Sequence, residues 1–183
     1  MHLDISAKQF FINMFENEPN YEMLDIAIKN FREVYIALKH KDKGYVYCQT
    51  YMLYRAPKKY ENFGYKPVWE FNGPVNANCP KRILDLLTPL DKLAKMDNFG
   101  EKPIEWAKEW RNRCYDNLEF AKKLSSGVVI KMDEPVEFTS GALYQYFKKK
   151  GKKWYAIGNY GTNAEFEAPI SFRGLQHMKY TFV

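Results

Sequence analysis

The last third of the chain carries the pattern that most constrains its fold. From Gly127 onward, short apolar or aromatic segments alternate with turn residues, and no long helical repeat appears. These segments are residues 128–130, 136–138, 144–147, 154–157, 166–172 and 180–183. Five or six short strands within about sixty residues are typical of a small antiparallel barrel. We therefore expect residues 127–183 to form an SH3-like β-barrel domain.

The preceding part of the chain predicts a mixed domain that begins with antiparallel strands. The strand pattern comprises residues 21–30, residues 34–38, a turn at residues 40–44 and the tyrosine-rich residues 45–55, with a further short strand around residues 66–71. Such segments favour a β-meander of three antiparallel strands. Leu24, Ile28 and Phe31 also have helical spacing, so the first segment allows a helix as well. Together with the helices below, the meander predicts an α+β domain over residues 1–122.

Two clear helix patterns accompany the meander. Ser6 and Gln9 form the S-x-x-Q capping box, in which the hydroxyl and the amide satisfy free N–H groups, and they predict a helix near residues 6–16. Pro103 opens the clearest helix, because apolar residues then recur at i, i+3 and i+4 positions. The apolar face of this helix comprises Ile104, Ala107, Trp110, Cys114 and Leu118.

A shorter helix is expected between these two patterns. Pro80 suits its first turn, and Pro89 stops it because proline disfavours helical geometry in the residue before it. Residues 90–102 are expected to form a solvated insert, and residues 122–127 a linker between the two domains.

Composition restricts the function classes without selecting one. The net charge is +6, which permits a nucleic-acid or other anionic partner. The three cysteines, Cys48, Cys79 and Cys114, are far apart in sequence, and this spacing fits a reducing compartment better than a disulfide framework. No signal-peptide pattern and no run of the roughly 18 apolar residues that a membrane span needs is present. We expect a cytoplasmic protein that has no membrane partner.

Residues 148–153 hold the densest charge run of the chain. The candidate binding residues are Lys148, Lys149, Lys150, Lys152, Lys153 and Trp154, and further aromatic residues flank them. Cations beside aromatic rings suit a nucleic-acid backbone with stacked bases. The predicted barrel has eight basic and five acidic side chains, a net charge of +3. A charged hairpin tip is also a common solubility device, so both interpretations stay open.

Tyr65, Lys66 and Glu70 are the candidates for acid–base chemistry. Each can move a proton or contact a phosphate, and a loop attached to the meander could bring them together. The alternative is a loop docked by Phe63 and Trp69, whose polar groups are merely solvated.

No other residue pattern indicates a catalytic or metal site. His2, His40 and His177 are far apart in sequence. Cys79 precedes a helix start, where the dipole can lower a thiol pKa, but no base is paired with it. Because no cysteine, histidine or carboxylate pair has ligand spacing, we expect no metal and no cofactor.

One block of the sequence resembles a family of small proteins carried by phages and conjugative elements. The family pattern is close to N-F-G-Y-K-x-M-D-E, then G-P, then C-P-x-x-I-L-x-x-L-S/T-P-T, then A-x-x-W-R-x-x-C. The matching residues are 62–66, Glu70, Gly73, Pro74, Cys79, Pro80, Ile83, Leu84, Leu87, Thr88, Pro89, Ala107, Trp110, Arg111 and Cys114. Val68 and Trp69 stand where the family has M-D, which removes one acidic side chain.

The resemblance implies a partner and a cellular setting. Some proteins similar to this family are anti-CRISPR proteins that inhibit the Cas9 effector, and one lineage is associated with truncation of the guide RNA. The resemblance therefore implies a viral or mobile-element protein in the cytoplasm of a host bacterial cell, with Cas9 and its guide RNA as partners. Binding of the effector–guide complex is the leading hypothesis.

Two alternatives stay open beside that hypothesis. One is a metal-independent ribonuclease that truncates guide RNA with residues drawn from Tyr65, Lys66, Glu70 and His40. The other is a nucleic-acid-binding accessory module that has no inhibitory activity.

Overall fold

The chain divides into two units, Met1–Glu119 and Phe120–Val183. The computed structural model describes residues 6–29, 32–54, 64–74, 76–96, 99–158 and 165–183. Residues 62 and 63 of the family-like block lie outside this described part. Each unit contains an antiparallel sheet and helices, which confirms the predicted α+β class.

The first unit contains a four-stranded sheet with the order β1-β2-β3-β4. Its elements are α1 (Ala7–Glu16), β1 (Tyr21–Lys29), β2 (Glu33–His40), β3 (Val46–Tyr54), β4 (Gly64–Trp69), a 3-10 turn (Glu70–Asn72), α2 (Lys81–Leu84), α3 (Leu90–Ala94) and α4 (Glu101–Lys123), whose last four residues belong to the second unit. The predicted meander is confirmed and gains β4 as a fourth strand. The ambiguous segment is a strand, since Ile26 pairs with Ile36 of β2.

The central strand β2 is buried on both faces. All of residues 34–38 are buried, and alternate residues enter two different apolar clusters. The even-numbered residues pack with Phe11 of α1, whereas Tyr35 and Ala37 pack with Trp110 of α4. A strand covered on both sides carries a continuous apolar run, as strands in doubly covered sheets do.

The start of α1 is capped by Ser6, as the sequence predicts. The Ser6 hydroxyl oxygen accepts a hydrogen bond from the Gln9 N–H at 3.2 Å. The Gln9 side chain instead donates to the Asn13 side chain at 2.8 Å. The reciprocal half of the predicted capping box is therefore replaced by an i, i+4 contact on the helix surface.

The expectation of a solvated insert at residues 90–102 is wrong. This segment contains α3, and Leu93 is fully buried in a cluster with Tyr47 of β3 and with Tyr45, which directly precedes β3. The spacing of Leu90 and Leu93 places both on one side of the short helix, toward the same cluster. The segment therefore covers part of the sheet instead of extending into solvent.

The helix α4 has 23 residues and an exposed side that carries many charges. Within the part of the chain that the structure describes, no helix combines the length and the apolar character needed to cross a membrane.

The second unit contains a five-stranded antiparallel sheet with the order β8-β7-β6-β5-β9. Its elements are β5 (Val129–Glu137), β6 (Leu143–Lys150), β7 (Lys153–Ile157), β8 (Glu165–Ala168), α5 (Phe172–Leu175) and β9 (Tyr180–Phe182). The two segments predicted at residues 128–130 and 136–138 belong to one long strand, β5. The register of β5 against β6 shifts between Lys131 and Val136.

The strand pairings of the second unit leave the sheet open in the described residues, so they do not show a closed barrel. Its core is formed around Ile130, Phe147 and Trp154. Leu124, which falls in the segment expected to be a linker, is also buried in this core.

Candidate nucleic-acid interface

Most of the basic run at residues 148–153 lies in two paired strands, and only two of its residues form the turn between them. Its first three lysines belong to β6, and Lys153 begins β7. The connection is Gly151 and Lys152 alone, and Gly151 has a φ of 57°, a left-handed conformation that suits glycine. The tight hairpin fixes which side chains share a face, because successive residues in a strand point to opposite sides.

The inner face of this hairpin is set by two fully buried residues. Phe147 of β6 pairs with Ala156 of β7, and both have no exposed surface. Tyr146 and Tyr155 are the strand neighbours of these residues, so their side chains lie on the opposite, outer face. Both tyrosines are half-buried, so part of each residue is accessible to solvent.

The outer face brings cations and aromatic rings together. Its cross-strand pairs are Lys131 with Tyr146, Lys148 with Tyr155, and Lys150 with Lys153. We call these six residues the lysine–tyrosine face. The ammonium of Lys131 lies 5.7 Å from the centre of the Tyr146 ring, and that of Lys150 lies 5.5 Å from the centre of the Tyr155 ring. Both separations are within cation–π range.

Lys149 does not belong to this face. It lies on the inner side of β6 opposite Trp154, and its ammonium donates a hydrogen bond to the Leu124 carbonyl. Its backbone N–H donates to the Val128 carbonyl at 2.8 Å, and its own carbonyl accepts from the Gly127 N–H at 2.7 Å. Lys149 therefore holds residues 124–128 against the hairpin.

Trp154 is also removed from the candidate binding residues. Only 3% of its surface is exposed, because strand alternation directs its ring into the core beside Phe147. Tyr155, the next residue, has the ring on the outer face. The signal that separates these two rings is the register of the two-residue turn at Gly151 and Lys152, which pairs Phe147 with Ala156 and so puts Trp154 on their face.

Lys153 forms an ion pair within the second unit. Its ammonium lies 2.7 Å from the Glu167 carboxylate of β8, and this hydrogen bond raises the pKa of Lys153. More than half of each side chain is exposed, so the pair contributes little to stability. Lys152 is exposed at the turn beside it.

The acid–base candidates of the first unit do not converge on one surface. Glu70 is fully buried, whereas Lys66 is exposed. The Tyr65 ring packs in the cluster around α1, with its centre 5.6 Å from that of Phe10 and 5.9 Å from that of Phe11. Because Tyr65 and Lys66 are consecutive in β4, their side chains point to opposite faces.

His40, the base considered with them, ends β2. Its Nδ1 accepts a hydrogen bond from the Lys43 N–H at 3.3 Å, and its ring contacts Tyr21 and Tyr45. No hydrogen bond or ring contact within the described ranges joins His40 to Tyr65, Lys66 or Glu70.

Glu70 instead forms a buried ion pair that the sequence did not reveal. Its carboxylate accepts hydrogen bonds from Arg111 Nε at 2.6 Å, from Arg111 Nη2 at 3.0 Å and from the Cys48 N–H at 2.9 Å. Arg111 Nη1 donates to the Thr88 carbonyl at 2.7 Å, and the Thr88 hydroxyl accepts from the Val46 N–H at 2.7 Å. This network joins α4 to β3, to the 3-10 turn that follows β4, and to the segment between α2 and α3.

Two further residues of α4 have similar structural roles, Trp110 of the family-like block and Asn117 beyond it. Trp110 Nε1 donates to the Asn76 carbonyl at 2.8 Å, and Asn117 Nδ2 donates to the Ala77 carbonyl at 2.7 Å. These two hydrogen bonds anchor α4 to the chain that precedes α2. The sequence signal for Arg111 was its position four residues after Ala107 and three before Cys114, on the flank of the apolar face.

The three cysteines meet in the core of the first unit, although they are distant in sequence. All are buried free thiols in one apolar cluster. Burial raises the pKa of each thiol, to about 12 for Cys114. Low thiolate content makes them poor nucleophiles. Among the residues that the structure describes, no group of three or more potential ligands could hold a metal ion.

Comparison with known protein families matches part of the chain. A family described as Domain of unknown function (DUF6927) matches residues 101–159, which run from α4 to the end of the β6–β7 hairpin. All six residues of the lysine–tyrosine face and Arg111 lie within this range. No curated protein and no solved structure matches the chain.

Proposed function

We propose that this protein is an anti-CRISPR protein of a phage or mobile element, which inhibits a type II Cas9 effector by binding its complex with guide RNA. The observation that carries the RNA contact is the lysine–tyrosine face, which has four cations and two half-buried rings on one side of a hairpin. The choice of Cas9 as the target rests on the family resemblance of residues 62–114.

The arrangement of charges supports a binding role for this face over a purely solubilising one. Lysines protect sheets from association when they lie on edge strands, but β6 is the central strand of its sheet. Lys150 and Lys153 are direct cross-strand neighbours on this face, and Lys153 is also paired with Glu167 of β8. A polyanion bound there would meet cations from three adjacent strands, β5, β6 and β7.

The chemistry of the face also suits a guide RNA. Phosphate contacts to lysine supply affinity that does not depend on sequence, and aromatic side chains stack on unpaired bases. Cas9 holds its guide through backbone and shape, so segments of the RNA outside the protein channel stay available to a second binder. Occupation of such a segment would interfere with assembly or with target recognition.

A cleavage assay with Cas9 and guide RNA tests this proposal. The wild-type protein is expected to inhibit cleavage of target DNA and to co-purify with the effector–guide complex at low salt. The variant Lys131→Glu/Lys148→Glu is expected to need at least about tenfold more protein for the same inhibition, because two phosphate contacts become repulsive. The control Lys92→Glu/Lys108→Glu makes the same charge change at two exposed sites of the first unit.

Two results would contradict the proposal. One is the absence of both inhibition and association at low salt. The other is equal inhibition by the wild type and by the Lys131→Glu/Lys148→Glu variant. The same reactions, run with labelled guide RNA, separate binding from cleavage of the guide. The ribonuclease alternative has less support because Tyr65, Lys66 and Glu70 do not share a surface, and an intact guide with and without effector removes it.

We also propose that the five-stranded sheet of the second unit closes into an SH3-like barrel. Support comes from β9, which returns to pair with β5 after the β5–β8 meander, and from the register shift in β5. Bulges of this kind bend strands at the rims of barrels. Amide exchange tests closure: slow exchange along both β8 and β9 is expected, and fast exchange at both edges would contradict it.

A further inference from the structure

We propose that the lysine–tyrosine face takes single-stranded nucleic acid and stacks two successive bases, one on Tyr146 and one on Tyr155. This inference rests on the proposed function for the choice of RNA as the natural ligand. It goes further by assigning a form of ligand, a base position to each ring, and a preference against duplex.

The separation of the two rings sets the form of the ligand. Tyr146 of β6 pairs with Ile157, and Tyr155 of β7 pairs with Lys148, so the two tyrosines are diagonal neighbours on the outer face. Diagonal positions in an antiparallel pair are roughly 7–8 Å apart. Stacked bases in a duplex strand are only about 3.4 Å apart. Two successive bases can reach both rings only if they are unstacked from each other, as in an extended single strand.

The lysines lie where the phosphates of such a strand would run. Lys131 is beside the Tyr146 ring, and Lys150 is beside the Tyr155 ring. Lys148 is two residues along β6 from Tyr146 and directly opposite Tyr155. A base that stacks on either ring displaces the lysine ammonium from that ring. The phosphate of the same nucleotide then lies close to the displaced ammonium. Lys148 is placed for the phosphate that joins the two nucleotides.

The same face is poorly suited to a duplex. In a duplex the faces of the bases are covered by their neighbours, so the rings would have nothing to stack on. The major groove is read by a helix or a narrow two-stranded ribbon, whereas this hairpin lies in the middle of a five-stranded sheet. Glu167 of β8 pairs with Tyr155 across the sheet and is exposed. Its carboxylate is paired with Lys153, so it limits the positive charge of the face on the β8 side.

Fluorescence anisotropy with labelled RNA tests this assignment. The probes are a single strand of roughly 12 nucleotides, within the site sizes of single-strand binders, and a duplex of the same sequence. The proteins are the full chain, Tyr146→Ala, Tyr155→Ala and the ring-preserving Tyr155→Phe. Tyr115→Ala is the control, because Tyr115 is an exposed tyrosine of α4 that lies outside the face.

The expected results separate stacking from charge. The single strand binds more tightly than the duplex, and each alanine variant raises the dissociation constant for the single strand about tenfold. Tyr155→Phe and Tyr115→Ala bind like the wild type. The alanine variants keep the wild-type dependence of log K on log salt, whereas Lys148→Ala lowers that slope by about one phosphate contact. A base analogue whose fluorescence is quenched by stacking reports the ring contact directly.

Three results would overturn the inference: equal or tighter binding of the duplex, unchanged affinity in both alanine variants, or no binding of the free single strand at low salt. Failure of this inference is distinguishable from failure of the proposed function. Inhibition of Cas9 without binding of free single-stranded RNA rejects the stacking site alone. Tyrosine-dependent binding of single strands without inhibition of Cas9 supports the stacking site and rejects the anti-CRISPR role.

Discussion

Removal of Arg111 should destabilise the first unit more than loss of any exposed charge. The Glu70 carboxylate is fully buried and the Arg111 side chain is only 10% exposed, so the pair is shielded from solvent. Replacement of Arg111 by methionine leaves the carboxylate with the Cys48 N–H as its hydrogen-bond partner in this network. Breaking a buried pair by removing one partner costs about 3–5 kcal/mol. Whole domains are stable by roughly 5–15 kcal/mol, so Arg111→Met would lose a large share of that stability.

A second variant separates the pair from the space that it fills. Glu70→Leu/Arg111→Met removes both charges, and replacement of a buried ion pair by apolar residues of similar volume is often neutral or stabilising. We expect this double variant to regain at least about half of the free energy of unfolding that Arg111→Met loses. Lys108→Met is the matched control, because Lys108 is exposed on the same helix and its loss should stay within about 0.5 kcal/mol.

Urea unfolding, followed by far-UV circular dichroism and by tryptophan fluorescence, provides the free energies. Two probes are needed because the chain has two units, which need not unfold together. A loss below about 1 kcal/mol in Arg111→Met would refute the reasoning, since that is the scale of an exposed pair. A double variant that is less stable than Arg111→Met would refute it as well.

Two further predictions concern the same unit. Burial raises the pKa of Cys48, Cys79 and Cys114 above 9.0, to about 12 for Cys114, so unfolding releases protons above pH 9. The contribution of each thiol to the free energy of unfolding is thus fully present below about pH 9 and falls by about 1.4 kcal/mol per pH unit as pH rises toward the folded-state pKa. The urea midpoint should therefore depend less on pH in a triple Cys→Ala variant than in the wild type, and identical pH profiles would contradict this prediction. Leu93→Ala should lower the free energy of unfolding by about 2–5 kcal/mol, whereas Leu86→Ala, at an exposed position, should lower it by under about 1 kcal/mol. Equal urea midpoints for the two variants would contradict the burial of Leu93 and favour a solvated segment at residues 90–102.

Local patterns were sufficient for elements whose signals lie within one segment. The capped start of α1, the meander and α4 all have such signals, because a cap, a strand alternation or a helical face involves residues close in sequence. The short helix α3 was missed since five residues contain too few turns for a periodic signal. Its place in the fold depends on the sheet residues that Leu93 contacts.

The site was less predictable because its geometry depends on register and on distant partners. The Glu70–Arg111 pair joins residues 41 positions apart, and neither residue alone signals a buried ion pair. The choice between Trp154 and Tyr155 depends on which parity of β7 faces the core. One residue of shift in a strand exchanges the two faces, so composition alone identified the basic run but not its outward side chains.

The salt dependence of single-stranded RNA binding tests the central claim most directly, namely that the lysine–tyrosine face is a nucleic-acid site. With three or four of its lysines on phosphates, log K should fall linearly with log salt with a slope of about −2 to −3, and Lys131→Glu/Lys148→Glu should reduce that slope by about 1.4, which is at least half of it. A slope near zero for the wild type, or an unchanged slope in this variant, would contradict the account.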